Sequence, residues 1–280
     1  MFWDQASETL ARPTLEHLQI KLLQETLHRV RERVPFYRQR LAELNLQPAD
    51  IRTLAEVRRL PFTTSDDLRA IYPDGLLAVD RAEAVRLHTS SGTTGKPKAI
   101  FFSRADVDNA AELIARSLVS AGITAADVFQ NMMSYGLFTG GLVMHYGAEK
   151  VGCLVIPAGP GTSERQLMLM QDFRTTAVHI LPSYALYFAS YLEQKGLRPR
   201  QDLTVRKAFV GAEPHTEETR RRIEQIFGCD VYNSYGLTEM NGPGVACECE
   251  YKAGMHLWED NFLLEIINTV TNEPLPDGQT

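Results

Sequence analysis

From about Ala84 onward the chain alternates short apolar, β-rich runs with stretches long enough to be helices, and this alternation constrains the fold more than any other feature. The apolar runs are AVRLHTS, KAIFFS, DVFQNMMS, CLVIP, TAVHILP, VRKAFVG and DVYNSYG. Helical patterns at 106–121, 164–173 and 217–227 are long enough to carry the chain back across a sheet between parallel strands. The pattern predicts an α/β fold, a parallel sheet flanked by helices. Ahead of it, Leu15, Leu18, Leu22, Leu23, Leu27 and Val30 recur at helical spacing within 13–45, and Pro35 should split that run into two helices. Beyond Gly254, HLWEDNFLLEIIN reads as extended and is followed by Asn272, Pro274, Pro276, Asp277 and Gly278, which suggests a β-hairpin in a small antiparallel region. We therefore expect a helical region at 1–83 packed on the core, an α/β core at 84–254, and the start of a β subdomain at 255–280.

Charge narrows the partners. Lys plus Arg number 29 against 35 Asp plus Glu, a net charge of −6, so no global positive field draws the chain to nucleic acid or an anionic membrane. Any phosphate must be gripped locally. No stretch approaches the roughly 18 apolar residues of a membrane helix, and MFWDQASETLARPTLEH lacks the basic start and apolar run of a signal peptide. The four cysteines suit a reducing compartment better than a disulfide framework, so the expected location is the cytoplasm.

Three segments carry chemistry. The first, HTSSGTTGKPK, has a phosphate-cradle composition: Gly92 and Gly95 let backbone N–H groups approach an anion, Ser90, Ser91, Thr93 and Thr94 add hydroxyls, and Lys96 adds a charge. It is not a Walker A loop, because two residues rather than four separate its glycines and Pro97 follows the lysine. Its flanks both read as strands, so it should join a hairpin; a plain flexible turn is the bland alternative. In the second, a strand ends at Gly211, Ala212, Glu213 and Pro214, and a helix capped by Thr216 follows. Open α/β sheets bind ligands at that end of a strand, although an ordinary loop with a solvated Glu213 fits equally. The third runs through Asn233, Ser234, Tyr235 and Gly236 to Thr238 and Glu239: an aromatic face, a close-approach glycine and a carboxylate. An acid facing a phosphate loop makes sense with a cation between them, and hard oxygens suit Mg²⁺. Thr94, Thr238 and Glu239 would then form a metal–nucleotide site; the alternative is a glycine-rich turn with a chance carboxylate.

Taken in order, SSGTTGKPK, GAEP and YGLTE resemble the adenylate-forming (ANL) superfamily of acyl-CoA and aryl-CoA ligases, most closely the phenylacetate-CoA ligase family. YGLFTGGLVMHYGAEKVG at 135–152, GPGV at 242–245 and WEDNFLLEI at 258–266 narrow the likeness to that branch. The resemblance implies an ANL-type large N-terminal domain and a ligase that uses ATP, Mg²⁺ and coenzyme A (CoA). A carboxylate attacks the α-phosphate, pyrophosphate leaves, and a thiol takes the acyl group, a step that belongs to phenylacetate catabolism. Lys96, Thr94 and Glu239 would be catalytic. Ser90 through Lys96, the loop Gly211 to Pro214, and the run Asn233, Ser234, Tyr235, Gly236 and Thr238 would hold the nucleotide, with Tyr235 stacked on adenine.

For the acid, Tyr135, Gly136, Phe138 and Gly140 lie just beyond a strand, where small residues leave room for a flat ring, with Gly211 and Gly236 nearby. This favours an aromatic over a long fatty acid; a core-packing role for Phe138 remains open. Cys247, Cys249 and His256 form a C-x-C-x6-H array of the kind Zn²⁺ prefers, so Cys249 and His256 could be half of a zinc site or plain strand residues. His145 and His179 read as core or pocket-lining histidines. The last residues, LPDGQT, look like a turn leading into another strand, whereas the resembling family continues into a small lysine-bearing C-terminal domain. The expectation is a truncated large domain, inactive or weakly active alone. A homodimer through the N-terminal helices, a non-CoA acceptor for the acyl group and a silent nucleotide-binding module are the competing readings.

Overall fold

In the computed structural model, which describes residues 1–90, 95–276 and 278–279, the alternation folds into a parallel sheet covered on both faces. The N-terminal helices are α1 (Gln5–Glu8), α2 (Arg12–Arg33), α3 (Pro35–Glu43) and α4 (Ser65–Ala70). Pro13 and Pro35 fall in the first turns of α2 and α3, where a missing N–H costs nothing. A hairpin of β1 (Ala84–Thr89) and β2 (Ala99–Ser103) follows, then α5 (Arg104–Ser120), β3 (Val128–Asn131), α6 (Thr139–Val151), β4 (Leu154–Ile156), α7 (Ser163–Asp172) and β5 (Ala177–Ile180). The chain continues through α8 (Pro182–Gln194), α9 (Pro199–Asp202), β6 (Lys207–Gly211), α10 (Glu217–Phe227), β7 (Asp230–Leu237), β8 (Gly242–Glu248) and β9 (Met255–Leu257).

Among the described residues the large sheet has the order β4-β3-β5-β6-β7-β8-β9, parallel from β4 to β7 and antiparallel beyond. Alternation along its strands sorts the core. Phe129, Ala177, Phe209 and Tyr232 face α5 and α6, while Val178, Ile180, Ala208, Val210 and Val231 face α8 and α10. Phe209 stacks on Tyr232 with ring centroids 5.6 Å apart. Three elements escaped the periodicity reading: α6, α8 and β8. α6 contains Gly140, Gly141 and Gly147, which lower its helical signal, and each is small for a reason of packing. A Cβ on Gly147 would lie 2.1 Å from Ile114 Cγ2, so α5 and α6 pack closer there than any side chain would allow.

The expected hairpin after Gly254 is not formed as such. β9 has three residues, and only an isolated bridge, Ile267 to Pro274, follows. The reason lies in the side chains of the next four residues. Trp258 Nε1 donates to Ser117 Oγ at 3.3 Å, Glu259 takes both Arg12 Nη atoms at 2.8 and 3.0 Å, Asp260 pairs with the buried Arg116 at 2.8 Å, and Asn261 accepts from Asn109 at 3.0 Å. These contacts bind the segment to α2 and α5, and its backbone turns instead of extending: the N–H groups of Asn261 and Phe262 both bond to Trp258 O at 2.9 Å. No helix among the described residues is long and apolar enough to cross a membrane.

Candidate active site at the carboxyl edge of the sheet

Parallel strands β3, β4, β5 and β6 end on one edge, and the loops leaving them enclose a cavity of about 400 Å³. Its wall is mostly apolar: Met132, Met133 and Phe138 after β3, Leu181 and Tyr184 at the start of α8, and Ala212 after β6; Ser134, Pro160, Gly161 and Gln166 complete it. Of the residues expected to touch an acid, Phe138 lines the cavity. Gly140 lies beneath its ring, since a Cβ there would sit 2.3 Å from Phe138 Cε1. Tyr135 and Gly136 are not in the wall. Tyr135 packs beside Gly159, and its hydroxyl is 3.2 Å from His145 Nδ1, whose Nε2 is 3.0 Å from Glu149. Burial pushes the Tyr135 phenol up to about 12.

Buried polar groups hold the loop after β3 in place. A Cβ on Gly141 would fall 2.1 Å from Ser134 O, so the loop rests directly on the first turn of α6. Asn131 donates from Nδ2 to Gly141 O at 2.7 Å, and its Oδ1 accepts from Met133 N–H at 3.2 Å. That fixes Oδ1 as an acceptor for His179 Nδ1, 3.1 Å away, and assigns the proton to Nδ1. Burial pushes the His179 imidazole down to about 3, so it is neutral and structural.

The nucleotide-side segments meet the same edge. A Cβ on Gly211 would lie 2.4 Å from Ser234 O, and Ala212 takes a left-handed φ of 65°, turning the chain sharply off β6. Glu213 is not solvated: its Oε1 accepts the Ser183 N–H at 2.6 Å, capping an orphan donor in the first turn of α8. Pro214 is exposed. Thr216 caps α10 by accepting from Thr219 N–H at 3.2 Å. On β7, Asn233 N–H donates to Glu248 Oε2 at 2.8 Å, Ser234 Oγ is buried without a partner, and Tyr235 is 48% exposed, leaving an open aromatic face. A Cβ on Gly236 would meet Gly242 O at 2.1 Å, and Thr238 and Glu239 follow in one 3-10 turn.

The glycine-rich segment joins β1 to β2 as a hairpin loop. Ser91, Gly92, Thr93 and Thr94 lie outside the described residues; Gly95 and Lys96 are exposed. At its base, Ser90 N–H bonds Lys98 O at 3.0 Å and Lys98 N–H bonds Ser90 Oγ at 2.9 Å. The Lys98 ammonium then pairs with the Glu239 carboxylate, both side chains largely buried, which ties the loop to the end of β7. Sequence reasoning passed over Lys98 in favour of Lys96. It also passed over Met132, Met133, Leu181 and Tyr184, although the rule that ligands gather at carboxyl ends of parallel strands points to them.

Two metal expectations are met by the geometry differently. One carboxylate facing a phosphate-type loop fits Mg²⁺, which commonly takes one or two carboxylates and completes its shell with phosphates and water. For Zn²⁺ the donors do not assemble: Cys249 and His256 line a separate cavity, and among the described residues no group of three metal-capable side chains is present. Cys247 pairs across from His256 in the strand register, but it faces the core and burial pushes its thiol up to about 12, the opposite of a thiolate ligand.

A family model described as "AMP-binding enzyme" matches residues 24–280. The chain is 46% identical over 273 residues to phenylacetate-coenzyme A ligase of Pseudomonas putida, covering 97% of this chain and 62% of that protein. It is 45% identical over 280 residues to the Thermus thermophilus protein of the same name, covering 100% and 63%. It thus spans somewhat under two thirds of these relatives' length. Among solved structures, 2-hydroxyisobutyryl-CoA ligase in complex with 2-HIB-AMP and CoA, in an open conformation, superposes with a TM-score of 0.92 at 26% identity, over 99% of this chain and 66% of that one.

Proposed function

Because the chain belongs to the AMP-binding enzyme family, we propose that it builds the site where a small aromatic carboxylic acid meets ATP, in a reaction that forms an acyl-adenylate and then a CoA thioester. The observation that carries this reading is the apolar 400 Å³ cavity, walled on one side by Phe138 and on the other by Ala212 of the loop after β6. A cavity of that size takes one ring and a short arm, and its apolar wall offers an aryl group contact without burying charge. The relatives' names, phenylacetate-coenzyme A ligases, support the same substrate class.

In this reading the ring lies against Phe138 and the carboxylate points out past Ala212. Ser90, Lys96 and the loop hydroxyls of Ser91, Thr93 and Thr94 neutralise the triphosphate, Tyr235 offers its exposed face to adenine, and Gly211 and Gly236 let backbone approach the nucleotide. Glu239 would hold Mg²⁺, with Thr94, and the ion would supply further neutralisation of the phosphates. A carboxylate oxygen then forms a bond to the α-phosphorus as the bond to pyrophosphate breaks, and later a thiolate displaces AMP from the acyl carbon. Positioning supplies most of such catalysis. The unpaired cysteines fit a reducing compartment, and we place the protein in the cytoplasm.

Isothermal titration of the 280-residue chain tests the reading. Phenylacetate should bind saturably and decanoate should not, and Phe138→Trp, which fills the cavity, should abolish phenylacetate binding while leaving Mg·ATP binding within about threefold. Preference for decanoate, or no binding of either phenylacetate or Mg·ATP, would overturn it.

A further inference from the structure

His88, at the end of β1, is buried to 1% exposure beside Phe102, ring centroids 5.2 Å apart and edge-on. Its Nδ1 lies 3.1 Å from Leu137 O. A carbonyl oxygen only accepts, so Nδ1 carries the proton. The same oxygen accepts Thr89 N–H at 3.0 Å, so both lone pairs of one carbonyl are held by consecutive residues of the β1–β2 hairpin. The far nitrogen, Nε2, is buried without any partner. An apolar ring of the same shape would pack here without orphaning that acceptor. What the imidazole adds over phenylalanine is the bond to Leu137.

That bond joins the two halves of the site. Leu137 precedes Phe138, the aromatic wall of the cavity. Thr89 precedes Ser90, which closes the base of the glycine-rich hairpin with Lys98, itself paired with Glu239. We propose that His88 is a positioning residue that couples the acid cavity to the nucleotide loop: a shift of Phe138 when the cavity fills is transmitted through Leu137 to the base of the hairpin. The inference rests on the reading of the site given above.

The test is titration of the chain with Mg·ATP, alone and with saturating phenylacetate, which yields a coupling factor between the two. The wild-type chain should bind Mg·ATP at least about fivefold more tightly when phenylacetate is present, at the low end of usual coupling. His88→Phe keeps the ring and removes the donor; it should bring the factor below about twofold while each ligand alone binds within about threefold of wild type. His88→Asn places an amide N–H near the Nδ1 position and should recover most of the coupling. A wild-type factor in His88→Phe overturns the inference, as does a wild-type chain that binds both probes independently. Parallel loss of both single-ligand affinities and of thermal stability in His88→Phe and His88→Asn overturns it in favour of simple packing. A wild-type chain that takes neither probe overturns the reading of the site itself.

Discussion

Gly140→Ala probes the cavity wall with one methyl group. Gly140 occupies the first turn of α6 without a positive φ, so alanine fits the backbone there. Its Cβ, however, would lie 2.3 Å from Phe138 Cε1 and 2.7 Å from Cζ. Carbon atoms rest at about 3.5–4.0 Å, so the ring must retreat by roughly 1.2 Å. It can move into the cavity or out toward solvent, and either path spoils the surface a substrate ring would lie on. A misfit of about one methylene in an apolar pocket costs roughly 1–3 kcal/mol, or about 5- to 150-fold in acid affinity. Alanine's better helix propensity, worth up to about 1 kcal/mol, offsets the displacement, so unfolding stability should change by less than about 1 kcal/mol. Phenylacetate titration and urea unfolding of the same samples give both numbers. Adding Phe138→Ala removes the clashing ring, so the two substitutions should be strongly non-additive. A folded Gly140→Ala chain that binds phenylacetate within twofold of wild type would falsify the placement of Phe138.

Other perturbations separate the remaining contacts. Glu239→Gln should weaken Mg·ATP binding at least about tenfold and change metal-free ATP binding by less than about threefold; equal losses in both would remove the cation role. Lys98→Met strands the Glu239 carboxylate, and its loss of stability, about 1–3 kcal/mol, should shrink when Glu239→Gln is added, as a double-mutant cycle in urea would record. Gly236→Ala drives a Cβ to 2.1 Å from Gly242 O and 2.5 Å from Pro243 Cα, backbone against backbone, so β7 and β8 must part; a loss of about 2–3 kcal/mol is expected by urea unfolding. His179 has an ordinary value of 6.5 but about 3 when folded, because of burial. The unfolded chain therefore binds more protons below pH 6.5: this contribution to stability is complete above 6.5 and falls as pH drops toward 3, by up to about 1.4 kcal/mol per unit. His179→Gln should flatten the stability profile between pH 6 and 4, and profiles that run parallel would count against the assignment.

Local patterns were legible because their causes are local. The break at Pro35 between α2 and α3, the Thr216 cap of α10 and the hairpin form of the glycine-rich loop follow from residues within a few positions of each other. The cavity wall was not legible: Met132, Met133, Leu181 and Tyr184 carry the same apolar signature as true core residues, and only the strand ends distinguish them. WEDN failed as a strand because its side chains bond helices far away in the chain, a preference no window of sequence contains.

Segment types, the parallel α/β plan and the kinds of group available for phosphate and ring were written in the order of residues, since backbone propensity and short-range periodicity decide them. Which lysine reaches Glu239, which carboxylate caps a helix instead of facing solvent, and which imidazole grips Leu137 were decided by tertiary structure. Those pairings depend on distances between strand ends that exist only once the sheet has twisted into place and its two faces are covered.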